Sequence, residues 1–220
     1  MKTAGLSGIA PVLTLVLLAL AAGVGQGAQP VADTALTTQG ARTGEVSFGD
    51  LAADALCEAG SAPVALLPAV AFRPGSFGPG PFDEKAIESL LANPGDSVAV
   101  SRLTGAQLRR ALERSLSRLP LPSGAFLQVA GLTVTYDPGA CRGDRIKKVL
   151  VAGSPLQESR SYEVAMPLSL AKGGSGYFQI FDAGDLVRQE TTTVAAALFS
   201  YAQKRGHVSY TRQGRLIAAR

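Results

Sequence analysis

Apolar and polar residues alternate from Leu132 to Tyr136. Leu132, Val134 and Tyr136 fall on one face and Thr133 and Thr135 on the other, as in a half-buried strand. The residues before it, GAFLQV from Gly124, are mostly apolar and leave Phe126 with two readings, a core aromatic or one wall of a binding slot. The period changes to that of a helix in SFGDLAADALCEAG, where Phe48, Leu51, Ala52, Ala55 and Leu56 share a face. Ser47 is the expected N-cap there, Asp50 completes a capping-box variant and Gly60 ends the helix. The clearest helix is TGAQLRRALERSLSRL. Thr104 and Gln107 form a capping box, and Leu108, Ala111, Leu112, Leu116 and Leu119 make the apolar stripe. Arg109, Arg110, Arg114 and Arg118 lie on the opposite side and read as a solvated face.

The uninterrupted apolar run APVALLPAVAF predicts a fully buried strand, and the Gly- and Pro-rich RPGSFGPGPF a loop. DEKAIESLL predicts a short helix and SVAVSRL a strand. DRIKKVLVAG and SYEVAMPLSLA read as further strands, and TTTVAAALFSYAQKRG as a last helix that Gly206 stops. This mixed order places the chain in the α/β class, of the α+β type, with a mixed sheet and packed helices forming one domain over 44–217. Residues 28–43, small and polar, read as a linker.

The N-terminus changes the picture. A single Lys2 precedes an apolar stretch, densest between Val12 and Leu20, that ends in small residues. That is the layout of a secretory signal peptide over residues 1–27, and the apolar stretch is short for an uncleaved anchor. The expected location is therefore outside the cytoplasm, periplasmic or extracellular, without stable membrane insertion after cleavage. In such a compartment Cys57 and Cys141 permit one disulfide, although a free Cys57 on a buried helix face is equally compatible.

Charge adds little. A formal net charge of +4 comes without any run of Lys and Arg or any base-reading module, so no nucleic-acid partner is expected. Counting excludes most hydrolytic chemistry. One histidine, His207, cannot supply a two-metal phosphatase centre, no GxSxG elbow accompanies it, and GGSG lacks the Lys-Ser/Thr of a P-loop. No catalytic residue, metal ligand or cofactor is assigned. What stands out is a pairing of Phe126 with Tyr177 at the exit of the KGGSGY loop, with Asp182 and Arg73 as polar partners; on spacing alone, two core rings are the favoured reading.

The segments GDLAADAL, LTGAQLRRALE, FLQVAGLTVTYD, GDRIKKVLVAGSPLQESRSYEVAMPLSLAKGGSGY and the late GRL occur here in the order found in the C-terminal domain of the 5′-nucleotidase family, which the chain resembles over roughly residues 42–217. The resemblance implies a substrate-binding half whose catalytic partner is a separate two-metal phosphatase domain. It places Phe126 and Tyr177 on two base-stacking positions, Asp182 on a ribose-binding acid and Arg73 on a phosphate-binding arginine. Departures accompany it. The family's NGGGxR reads PAVAFR here, with Pro68 in place of Asn. GGDG becomes GGSG at Ser175, and PFxN becomes NPGD. RxRE becomes RTGE, which keeps Arg42 and Glu45 but has Gly44 at the second arginine. The base clamp thus looks kept and the phosphate side eroded.

The expected function is an exported nucleotide- or nucleoside-binding domain that does not hydrolyse its ligand alone. Two alternatives stay open. One is a subunit of a nucleotide hydrolase completed by a separately encoded metallophosphatase. The other is a degenerate domain without a ligand, its rings buried as core.

Overall fold

The apolar run at residues 62–72 enters the core as a strand shorter than expected. In the computed structural model, which describes residues 29–219, Val64–Pro68 is a strand buried at every position, and a 3-10 turn at Ala69–Ala71 then carries the chain outward. This strand lies in a five-stranded sheet whose order is Leu186–Thr193, Ser97–Thr104, Ser161–Pro167, Val64–Pro68, Leu127–Ala130. Ser161–Pro167 and Val64–Pro68 pair in parallel and the other neighbours are antiparallel, so the sheet is mixed, as the element order requires.

Five α-helices accompany it among the described residues: α1 (Ser47–Ala59), α2 (Glu84–Ser89), α3 (Gly105–Leu116), the single turn α4 (Leu168–Ala171) and α5 (Val194–Arg205). The apolar face of α1 packs on the Val64–Pro68 and Leu127–Ala130 strands and against α5. The cap of α3 is the one the sequence predicts. Thr104 Oγ1 accepts from Gln107 N at 3.1 Å, and Gln107 Oε1 accepts from Thr104 N at 2.8 Å. The cap of α1 is not. Ser47 is already helical, and its hydroxyl donates to Ala35 O and accepts from Thr37 N, so it secures the chain before the helix.

Those partners belong to the stretch expected to be a linker, and the structure corrects that reading. Val31–Ala32 pairs with His207–Val208 and with Gly80–Pro81, and Leu36–Thr37 pairs with Ser76–Phe77. Ala32 and Leu36 are fully buried. A few well-placed apolar side chains and a paired backbone make residues 29–43 part of the fold, despite a polar composition that suggests otherwise. The signal-segment reading, residues 1–27, lies outside the described residues. Among the described residues no helix is long and apolar enough to cross a membrane.

The alternating strand Leu132–Tyr136 belongs to a second, four-stranded sheet, ordered Ser154–Pro155, Ile146–Val151, Leu132–Tyr136, Leu216–Ala218. Gly131 is the corner between the two sheets. Its φ is +72°, and a Cβ there would collide with the Pro63 carbonyl oxygen. The last strand is clasped by Glu45, whose buried carboxylate accepts from three successive amides, Gly214, Arg215 and Leu216, at 2.8, 2.7 and 2.8 Å. The Arg215 side chain passes beneath and donates to Val129 O and Asp54 Oδ2, both at 2.9 Å. This gives the late GRL segment its role. The two cysteines are free, Cys57 half-buried on α1 and Cys141 exposed between strands. Burial pushes the Cys57 thiol up to about 12.

Candidate functional site

The four residues singled out in the sequence occupy three different environments. Phe126 has no exposed surface. Its backbone carbonyl accepts from Ala69 N at 2.7 Å and its ring belongs to the core. Tyr177 has none either. Its ring stacks on Phe181 at 5.3 Å, its hydroxyl donates to Ala125 O at 2.6 Å, and the Arg114 guanidinium lies 5.6 Å above it. Burial raises the Tyr177 hydroxyl pKa, so it remains a donor. The two aromatic segments do meet, through this hydrogen bond, but as core. Neither ring offers a face to solvent, so the open aromatic slot expected from the sequence is not formed by this pair. Asp182 is exposed near the end of the glycine loop, and its amide donates to Asp185 Oδ2 at 2.8 Å.

Arg73 is in a different position. It is exposed on the segment leaving the central sheet, and its Nη2 reaches Ala92 O at 3.4 Å. Together with Arg42 it lines a surface cavity of about 250 Å³, completed by Thr38, Gly40, Phe72 and Pro122. Both arginines stand on a pinned backbone. Arg73 N donates to Leu90 O at 2.9 Å, and Thr38 Oγ1 donates to Arg73 O at 2.7 Å while accepting from Gly75 N at 3.0 Å. Ser123 N donates to Arg42 O at 3.0 Å. From inside, the fully buried Gln128 fixes the same loop. It accepts from Val46 N at 3.0 Å and donates to Ala41 O at 3.2 Å and Gly44 O at 2.8 Å. Gly124 leaves space here, since a Cβ would lie 3.3 Å from Val70 and 3.8 Å from Arg42 Nη1.

A second cavity, of about 130 Å³, shares the Pro68–Arg73 segment as a wall. Its lining is largely apolar, with Pro68, Val70, Ala71 and Leu91, and carries polar groups at Asn93, Asp96 and Ser169. Asp96 is held in place by its Oδ1, which accepts from Ser169 N at 3.4 Å. The arrangement is a basic recess next to an apolar cleft, suited to an anionic group joined to a less polar one. Sequence reasoning noted Arg42 and the NPGD segment as kept or altered family positions, but did not assign them to a site. Gln128, a lone amide in an otherwise apolar strand, was the available signal for the pinned loop. Among the described residues no group of three or more His, Cys, Asp or Glu side chains is placed to hold a metal ion. His207 is exposed and hydrogen-bonded to Asp33 Oδ1 at 2.8 Å.

The family model of the 5′-nucleotidase C-terminal domain matches residues 23–183. The chain belongs to this family. As a 5′-nucleotidase C-terminal domain it is 34% identical to human 5′-nucleotidase over 105 residues, covering 44% of this chain and 18% of that protein. It is 29% identical to a snake venom 5′-nucleotidase of Naja atra over 154 residues, covering 62% and 29% of the two. A 5′-nucleotidase precursor from Thermus thermophilus superposes with a TM-score of 0.79 at 26% identity, over 88% of this chain and 39% of that one. The NAD nucleotidase of Haemophilus influenzae shares the fold at 17% identity, with a TM-score of 0.74 over 88% and 39% of the two chains. The chain thus spans less than a third of these curated relatives' length. The mixed-sheet architecture expected for the family is the one observed.

Proposed function

We propose that this 5′-nucleotidase C-terminal domain recognises a nucleotide through its phosphate, and that the described residues alone do not hydrolyse it. The observation that carries this reading is the meeting of Arg42 and Arg73 in one cavity, although 30 residues of chain separate them. Two guanidinium forks on pinned backbone match the geometry of phosphate oxygens. The apolar cleft across the Pro68–Arg73 wall takes the nucleoside part, with Asn93, Asp96 and Ser169 available to its hydroxyls and ring edges. The names of the relatives, 5′-nucleotidases, support a nucleotide as ligand. The chemistry of hydrolysis has no support from these residues, since a metal-dependent phosphatase needs a converging ligand set. A separately encoded metallophosphatase would supply it. The charged start, apolar middle and small-residue end of residues 1–27 support export of the domain.

A thermal-shift series with nucleosides, nucleoside monophosphates and nucleotide sugars tests the recognition. Monophosphates should raise the unfolding temperature where the parent nucleosides do so less, because only ligands that bind the folded chain stabilise it. A phosphate-release assay on AMP with added Mn²⁺ tests the rest and should show no turnover. EDTA-sensitive release copurifying with the chain would overturn the non-catalytic reading.

A further inference from the structure

Helix α3 carries Arg110 and Arg114 four residues apart, and Arg118 continues the same spacing just beyond its end, a column of like charges on one face. Such like-charged neighbours repel and ordinarily splay into solvent. Two of them are held instead. Arg110 Nη2 donates to Gln179 O at 2.7 Å, and Arg114 Nη2 donates to Ser175 O at 2.9 Å with its guanidinium over the Tyr177 ring. The glycine loop is shaped for this, because a Cβ at Gly176 would collide with the Arg114 guanidinium. Arg109, Arg110 and Arg114 line a cavity of about 320 Å³ with Gly143, Gly176 and Gln179.

The counter-charges there are already engaged. Glu113 gives both carboxylate oxygens to the amides of Arg145 and Ile146, at 3.1 and 2.8 Å. Glu158 meets Arg109 Nε at 2.9 Å, leaving Arg110 and Arg114 without a carboxylate partner among the described residues. The Arg114 Nε is buried and has no hydrogen-bond partner among the described residues. We propose that this cavity is a second anion site, separate from the Arg42–Arg73 recess, that takes a phosphate or pyrophosphate group. Guanidinium groups held by the Gln179 and Ser175 carbonyls, with N–H donors still unused, favour a multidentate oxyanion over a single carboxylate.

The test is calorimetric titration of the whole chain with inorganic pyrophosphate at low salt, in a buffer without phosphate. The Arg73→Gln protein isolates the new site from the Arg42–Arg73 recess. It should bind one equivalent of pyrophosphate, and adding Arg110→Gln should weaken that binding by about ten-fold or more, as loss of one charge-assisted fork implies. Arg110 is exposed, so unchanged thermal unfolding is expected to accompany the loss. Arg114→Lys keeps the charge but not the fork and should weaken binding comparably. Glycerol 3-phosphate titrated in parallel separates an esterified phosphate from a free one, and tighter binding of either supports the site. Pyrophosphate binding that is absent in the Arg73→Gln protein, or indifferent to Arg110→Gln, overturns it. Neither result touches AMP binding at the first recess, which is read on the Arg110→Gln protein.

Discussion

The Tyr177 hydroxyl donates a 2.6 Å hydrogen bond to the carbonyl of Ala125, the residue preceding Phe126. This one contact joins the two aromatic segments as parts of a closed core. Both rings are fully buried, so they hold the glycine loop against the central sheet and present no face to a ligand.

Substitutions at the rings should therefore read out as stability. Phe126→Ala removes a buried ring and should cost about 3–5 kcal/mol in urea denaturation. Tyr177→Phe leaves the Ala125 carbonyl without its donor and should cost about 1–3 kcal/mol. Nucleotide affinity of the fraction that remains folded should be unchanged. A Tyr177→Leu protein that loses nucleotide affinity while Tyr177→Phe keeps it would restore the stacking slot, because only Leu removes the ring.

Gln128 predicts a mixed effect, because it is the internal pin of the Arg42 loop. Gln128→Leu strands the Val46 amide and the Ala41 and Gly44 carbonyls, and should cost on the order of 2–4 kcal/mol. AMP affinity should fall several-fold as well, since Arg42 loses its fixed backbone. A destabilised Gln128→Leu protein with full AMP affinity would show that the loop does not position Arg42.

Asp50 predicts the pH dependence of stability. It is fully buried on α1, and neither carboxylate oxygen has a hydrogen-bond partner among the described residues. Burial pushes its carboxyl up to about 8. Arg215 opposes the shift and Glu45 reinforces it. The guanidinium stands off at 3.5 Å from Asp50 and is shared with Asp54 at 2.9 Å, so burial outweighs the ion pair. Below about 4 both folded and unfolded chains hold this proton; between about 4 and about 8 only the folded chain does, so stability falls as pH rises. Urea denaturation at about pH 5 and about pH 8 should show that decline in the wild type and a flatter profile for Asp50→Asn. Equal slopes for the two proteins would mean that Asp50 is ionised in the folded chain.

The sequence made the helices and strands legible wherever one period ran long enough. The stripe of α3, its Thr104–Gln107 cap and the alternation over Leu132–Tyr136 all appear in the structure as read. Residues 29–43 were not legible, because their order comes from two-residue pairings with strands distant in the chain, and such partners leave no local period. The site was partly legible. Arg73 could be named from its motif, but its meeting with Arg42 depends on the pinning of a loop by Thr38, Ser123 and Gln128. The clamp of Phe126 and Tyr177 rests on the family resemblance, whereas spacing alone favours two core rings, and the structure buries both.

Calorimetric titration of AMP and adenosine into the wild-type chain and into Arg73→Ala tests the central claim, recognition through the phosphate at Arg42 and Arg73, most directly. AMP should bind at least about ten-fold more tightly than adenosine, in keeping with a charge-assisted contact to each arginine. Arg73→Ala should weaken AMP by about ten-fold, with the Arg42 contact remaining, and leave adenosine itself unchanged. Equal binding of AMP and adenosine by the wild type, or an Arg73→Ala protein that binds AMP as the wild type does, would contradict it.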